Sequence, residues 1–253
     1  MKPLAIDLFC GLGGWAEGLL AEGWDVIGFD IEQHVYGEHR YPAQLVVQDV
    51  RTLHGSQFKS ADLIVASPPC QAYSYRAMPW KRAKALPPPD NELFDACFRI
   101  QREACEAAGR HIPLVVENVR GAQKWVGRAR WNFGSFYLWG DVPALMPPIA
   151  KYKSSGMNWS NREIRGQDFT RIAGSQSFQS ASVEGFHLKG DLVEGRKGIG
   201  GRSAIRNPQA DPRPSHGNNS TRKFASAMIA KIPLPLARHI GRVFRPATFE
   251  AAA

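Results

Sequence analysis

The chain has 253 residues, 32 Lys+Arg against 23 Asp+Glu for a formal charge of +9, and 43% hydrophobic residues. That length corresponds to one or two domains with a real core, and the composition excludes a wholly disordered chain. With 24 Gly and 18 Pro, above average usage but short of low complexity, many loops on an ordered scaffold are expected.

In chain order, residues 4–9 are a short apolar run ended by the turn Cys10-Gly11-Leu12-Gly13-Gly14, and a helical stretch follows over 15–22. Further strands are predicted at 25–29 (DVIGF, closed by Asp30), 45–47 (closed by Asp49) and 63–66 (LIVA, closed by Ser67-Pro68-Pro69-Cys70). Residues 91–108 read as a helix, with Leu93, Cys97, Ile100, Ala104 and Ala108 at helical spacing and Asp90 or Asn91 as N-cap. A fifth strand at 113–116 (PLVV) is closed by Glu117-Asn118. Short apolar strands alternating with helices imply an α/β fold, a doubly wound, mostly parallel sheet whose reactive residues gather at the carboxyl ends of the strands. Those ends carry Gly11 and Gly13, Asp30, Asp49, Cys70 and Glu117, which is not a packing pattern.

The texture changes near residue 150. Residues 1–150 hold 15 basic and 16 acidic residues, whereas 151–223 hold 13 and 6, and 224–253 hold 4 and 1. The positive charge therefore sits in the last two-fifths of the chain, where a polyanion such as nucleic acid would be attracted. The stretch 196–223 is rich in Gly, Arg, Pro, Ser and Asn, and helical pattern returns over 224–232 and 236–244. Three regions are expected: 1–150 as a catalytic domain, 151–223 as a basic, loop-rich recognition region, and 224–253 as a helical segment returning to the first.

A strand, a Gly-rich turn and a helix N-terminus suit a nucleotide-like cofactor. The turn departs from GxGxxG and lacks a phosphate-binding Lys, which argues against a nicotinamide enzyme. Asp30, about twenty residues on, is placed to accept from ribose hydroxyls, and Asp49 from an exocyclic amine. Cys70 follows two prolines at a strand end among polar neighbours, where a thiolate would be a nucleophile. Glu117 ends an apolar strand, where desolvation would raise its pKa and keep it available as a proton donor. Such a pair can attack an electron-poor ring while protonating it. Cys97 and Cys105 lie on the helix as inert small side chains.

In this order, DLFCGLGG (7–14), SPPCQAYS (67–74) and VVENVRG (115–121) closely resemble the DNA (cytosine-carbon-5) methyltransferase family, in its short phage or prophage form. The resemblance covers residues 4–121 clearly and 229–240 more loosely. It implies an S-adenosylmethionine-binding sheet with a small target-recognition domain inserted before a C-terminal helix. It also implies that Phe9, Gly11, Gly13 and Pro69 line the cofactor, Asp30 holds the ribose, Ile31 touches adenine and Asp49 accepts from the adenine amine. Cys70 would add to carbon 6 of a flipped-out cytosine, Glu117 would act at ring nitrogen 3, and Asn118 would orient the Glu117 and Pro69 loops. Extrusion is required because the ring carbons are unreachable in stacked duplex.

Double-stranded DNA is the expected partner. Contacts are assigned to Gln71, Ser74 and Arg76 after the nucleophile, to Arg128 or Arg130, and to Arg196, Lys197, Arg202 and Arg206. The family's Gln-x-Arg-x-Arg is replaced by Gly127-Arg128-Ala129-Arg130, and its closing Gly-Asn by Ile229-Ala230. Alternatives are methylation of cytosine in tRNA, methylation of an exocyclic amine (suggested by Ser67-Pro68-Pro69) and a nucleic-acid-binding homologue without catalysis. No apolar run approaches the ~18 residues of a spanning helix, Met1-Lys2-Pro3 and the short run after it are not a secretory signal, and four cysteines without CxxC or zinc-spaced His suggest reduced thiols. A monomeric cytoplasmic protein without metal is expected.

Overall fold

A computed structural model of the chain describes residues 2–74, 87–146, 227–228 and 230–246. Seven strands form one sheet in the order β3-β2-β1-β4-β5-β7-β6. They are β1 (Leu4–Leu8), β2 (Asp25–Asp30), β3 (Gln44–Val47), β4 (Leu63–Ala66), β5 (Leu114–Asn118), β6 (Trp131–Phe133) and β7 (Phe136–Gly140). The first five pair in parallel, while β7 runs antiparallel to both β5 and β6. Strand β4, β1 apart from Asp7, and β5 as far as Val116 are apolar, as strands covered on both faces must be.

Among the described residues the α-helices are α1 (Gly14–Ala21), α2 (Glu92–Ala108), α3 (Gln123–Val126) and α4 (Leu234–Phe244). Helix α2 buries Cys97, Ile100 and Ala104 as read from the sequence, together with Phe94 and Ala96, while Leu93 and Ala108 are half-buried. Asn91 occupies its N-cap position, yet the Asp90 carboxylate accepts the Glu92 N–H at 2.8 Å. The expected strand over 113–116 extends through Glu117 and Asn118, because both pair with β7. The hairpin β6–β7 has no counterpart in the sequence reading.

Sheet order reverses direction between β1 and β4. In open parallel sheets the crevice outside the carboxyl ends at such a reversal is where ligands bind. The turn after β1 and the Ser67–Cys70 turn after β4 therefore share one edge, with Glu117 on the next strand.

The chain divides into two compact units, residues 1–148 with 234–253, and residues 149–233. Within the first, α4 docks on α1. Gly18 of α1 faces Ala237 at a distance that leaves no room for a Cβ. The Trp24 indole donates to the Gly241 carbonyl at 2.9 Å, and Glu22 accepts from Arg238 at 2.5 Å and Arg242 at 2.9 Å. The late helix expected from residue 236 begins two residues earlier, and Pro235 stands in its first turn, where a missing N–H costs nothing.

Candidate active site

The turn after β1 is built from residues in left-handed backbone conformation: Phe9 at φ 57°, Gly11 at 50° and Gly13 at 79°. Such a φ is free for glycine but strained for Phe9, and strained non-glycine backbone clusters at functional sites. The Gly11 N–H donates to the Asp30 carboxylate at 2.9 Å, tying the turn to the end of β2. A Cβ placed on Gly11 would meet nothing within 4 Å, so open space lies over the turn. Burial pushes the Asp30 carboxyl up, but His34 and the Gly11 and Glu32 N–H groups outweigh it and hold the group below its usual range. A fixed anion, an open cradle and the exposed Ile31 beside them suit a ribose diol and an adenine face, so the residues fit S-adenosylmethionine.

Asp49 ends β3 as expected, but its carboxylate is engaged. It accepts from the Arg51 backbone N–H at 2.9 Å and from the Arg51 guanidinium at 2.6 to 3.1 Å. An adenine amine arriving there would share lone pairs with Arg51. Arg51 also borders a cavity of about 300 Å³ with Pro69, Tyr73, Leu93 and Phe94. Gln71, Asp90 and Glu92 line it as well, so its walls mix apolar and polar groups.

Across the reversal, Cys70 stands at the head of a turn in which its carbonyl accepts from the Tyr73 and Ser74 N–H groups, both at 3.0 Å. The Tyr73 hydroxyl donates to Asn91 at 2.9 Å, pinning the turn to the start of α2. Asn118 donates to the Pro68 carbonyl at 2.9 Å and accepts the Val119 N–H at 2.8 Å, so it bridges the two loops as expected. Glu117 is buried, and burial pushes its carboxyl up to about 8, with the Ser67 hydroxyl acting the other way. Burial, and then the Glu117 charge, push the Cys70 thiol up. At neutral pH it is a thiol, and the nucleophilic form requires removal of its proton during the reaction.

Comparison with known proteins adds one decisive result. Residues 4–125 match the family of C-5 cytosine-specific DNA methylases, and they contain every one of the groups just described. This stretch is a C-5 cytosine-specific DNA methylase domain. No curated protein matches the chain. Among solved structures, a prophage-encoded protein of E. coli described as a DNA modification methyltransferase is 27% identical over 49% of this chain and 34% of its own, with a TM-score of 0.36. The Entamoeba histolytica methyltransferase EhMeth is 13% identical over 96% of this chain and 98% of its own, at 0.48. The S. pombe Dnmt2 methyltransferase is 16% identical over 49% and 36%, at 0.34. The chain thus spans about a third of the prophage protein it matches.

Around the methylase site, Gln71 is exposed and Ser74 half-buried beside the Cys70 turn, while Arg128 and Arg130 are exposed between α3 and β6. Arg76, Arg196, Lys197, Arg202 and Arg206 lie outside the described residues. Among the described residues no cluster of His, Cys, Asp and Glu could hold a metal, and no helix is long and apolar enough to cross a membrane.

Sequence reasoning missed Tyr41. Its hydroxyl donates to Asp7 at 3.2 Å, its ring fills the space over Gly28, and Pro42 fills that over Gly13. Asp7 is fully buried, and burial first, then the Asp30 charge, push its carboxyl up to about 8 against the Tyr41 and Ala16 hydrogen bonds. Cys10 is a further buried titratable neighbour. The folded-state pKa lies above the unfolded one, so stability present at pH 4 is lost progressively as pH rises to about 8. Asp7→Asn should abolish this pH dependence and raise the denaturation midpoint at pH 8 relative to the wild type. A variant with the same pH slope as the wild type would show Asp7 ionised throughout.

Proposed function

We propose that the protein transfers a methyl group from S-adenosylmethionine to carbon 5 of a cytosine flipped out of duplex DNA. The observation that carries this reading is the placing of Cys70 and Glu117 on adjacent strand ends, with Asn118 bonded to Pro68 between them. Residues 1–150 are the catalytic region in this reading, residues 151–223, at net +7, supply phosphate contacts, and 224–253 return to the catalytic region.

In the proposed reaction the Cys70 sulfur, once deprotonated, forms a bond to carbon 6 of the ring. The displaced electron pair is accommodated by protonation of ring nitrogen 3 from Glu117, and carbon 5 becomes nucleophilic. S-adenosylmethionine, when bound, supplies an electrophilic methyl group to that carbon. The carbon 5 proton then leaves to a base, the sulfur–carbon bond breaks, and nitrogen 3 returns its proton to Glu117. Asp30 and the Gly11–Gly13 turn hold the cofactor, and Asn118 keeps the two reacting loops in register.

The test uses duplex DNA carrying 5-fluorocytosine, in which fluorine cannot leave as a proton does. Wild-type protein with S-adenosylmethionine should trap a denaturant-stable complex, and labelled methyl should enter unmodified duplex DNA rather than tRNA. Transfer to tRNA alone would replace the substrate, and no transfer to cytosine in either polymer would refute the reading.

A further inference from the structure

Strand β3 pairs with β2 so that Val47 lies opposite Asp30, and the Gln48 N–H donates to the Asp30 carbonyl at 2.8 Å. Asp49 therefore lies two residues beyond that register, on the strand end next to the carboxylate proposed to hold the cofactor. A base carried on a ribose at Asp30 has the Asp49 carboxylate in the same row of strand ends.

The lone pairs of Asp49 are already taken. It caps a short 3₁₀ turn, Val50–Thr52. Its Oδ1 accepts from the Arg51 backbone N–H at 2.9 Å and from Arg51 Nε at 3.1 Å. Its Oδ2 accepts from Nε at 3.0 Å and from Nη2 at 2.6 Å. A carboxylate offers about four lone-pair sites, and one residue supplies all four of these contacts. An adenine amine is a donor and needs one of the same sites.

The two kinds of contact differ in freedom. The backbone bond is fixed, because the Thr52 N–H and hydroxyl close the turn on the Asp49 carbonyl at 3.0 and 2.8 Å. The Arg51 carbonyl is held as well, by Arg99 at 3.2 Å. The guanidinium, in contrast, ends a long, half-exposed side chain with a second anion in reach. Its Nη1 stands 3.6 Å from a Glu92 carboxylate oxygen at the start of α2. On that side Arg51 borders a cavity of about 620 Å³ whose other charged residues are Glu92, Asp95, Arg99 and Arg102. Arg99 is itself bonded to Glu103.

We propose that Arg51 competes with the cofactor's adenine for Asp49, and that its guanidinium passes from Asp49 to Glu92 as the 6-amino group binds. The proposal rests on S-adenosylmethionine being the cofactor of the reading above. Departure of the guanidinium frees Oδ2, while the backbone bond to Oδ1 keeps the carboxylate aimed. Glu92 receives the positive charge, so one half-exposed ion pair is traded for another at small cost. A purine without an amine gains nothing at Asp49 and leaves Arg51 where it is.

Calorimetry of the full chain with S-adenosylhomocysteine, and with its analogue lacking the 6-amino group, tests the exchange. Arg51→Met keeps the stem and removes the competing donors. It should tighten S-adenosylhomocysteine roughly two- to fivefold, the range of exposed ion pairs, and leave the analogue unchanged. Glu92→Gln removes the second anion and should weaken S-adenosylhomocysteine, with no effect when Arg51→Met is already present. A methionine variant that binds S-adenosylhomocysteine as the wild type does would overturn the proposal. Weaker binding would do the same, by making Arg51 a clamp that prepares Asp49. Equal tightening of both ligands would also overturn it, since a general change of charge and not the amine would be responsible. If neither protein binds S-adenosylhomocysteine, the proposed function and this inference fall together. Failure of the fluorocytosine trap with these shifts intact would strike the proposed function alone.

Discussion

Cys70→Ala should abolish methyl transfer and the covalent complex with 5-fluorocytosine DNA while leaving S-adenosylmethionine binding intact. Deleting a covalent nucleophile typically removes ~10⁴–10⁶ of the rate, because nothing else in the site can form the bond. The turn itself should survive, since it is held by the backbone bonds to the Cys70 carbonyl and by Tyr73 on Asn91. Gly11 and Asp30, the groups proposed to hold the cofactor, belong to other strands. Calorimetry should give a wild-type Kd beside a null transfer assay. An adduct formed by the alanine variant would move the nucleophile elsewhere.

Glu117→Gln should lower kcat by roughly 10²–10⁴ with little change in DNA affinity, the usual span for a general acid. Glutamine keeps the size of the side chain but has no acid proton to deliver to nitrogen 3. The two reacting groups also make opposite demands. Glu117 must be protonated, so activity is lost as pH rises through about 8. Cys70 must lose its proton, so its requirement favours higher pH. The wild-type profile should rise and then fall, with apparent values that belong to the pair rather than to either residue. The glutamine variant should keep the rise and lose the fall. Near-normal turnover in that variant would leave Glu117 a structural role only.

Much of this site can be read from the sequence because its groups sit at chain-local punctuation. The apolar runs of β1, β4 and β5, the glycines of the first turn and the Pro-Cys-Gln and Glu-Asn-Val junctions are all contiguous signals. The upward shift of Glu117 was legible too, since a carboxylate closing four apolar residues must be desolvated. What stayed hidden depends on contacts between distant residues. Trp15 reaches Ser67 across 52 positions and Tyr41 reaches Asp7 across 34, and neither leaves a local pattern. The raised Cys70 thiol escaped for the same reason, since it depends on how deeply the turn is buried and on the neighbouring strand. The hairpin β6–β7 was missed because β6 has only three residues, too few for alternation to show.

The docking of α4 bears on how the two ends of the first unit are held together. The chain leaves the methylase unit at Pro148 and re-enters it at Leu234, and the re-entering helix is fastened by Glu22, Trp24 and the Gly18–Ala237 contact rather than by what precedes it. The anchor on α1 therefore ties the C-terminal helix to the first unit by contacts that belong to that unit alone.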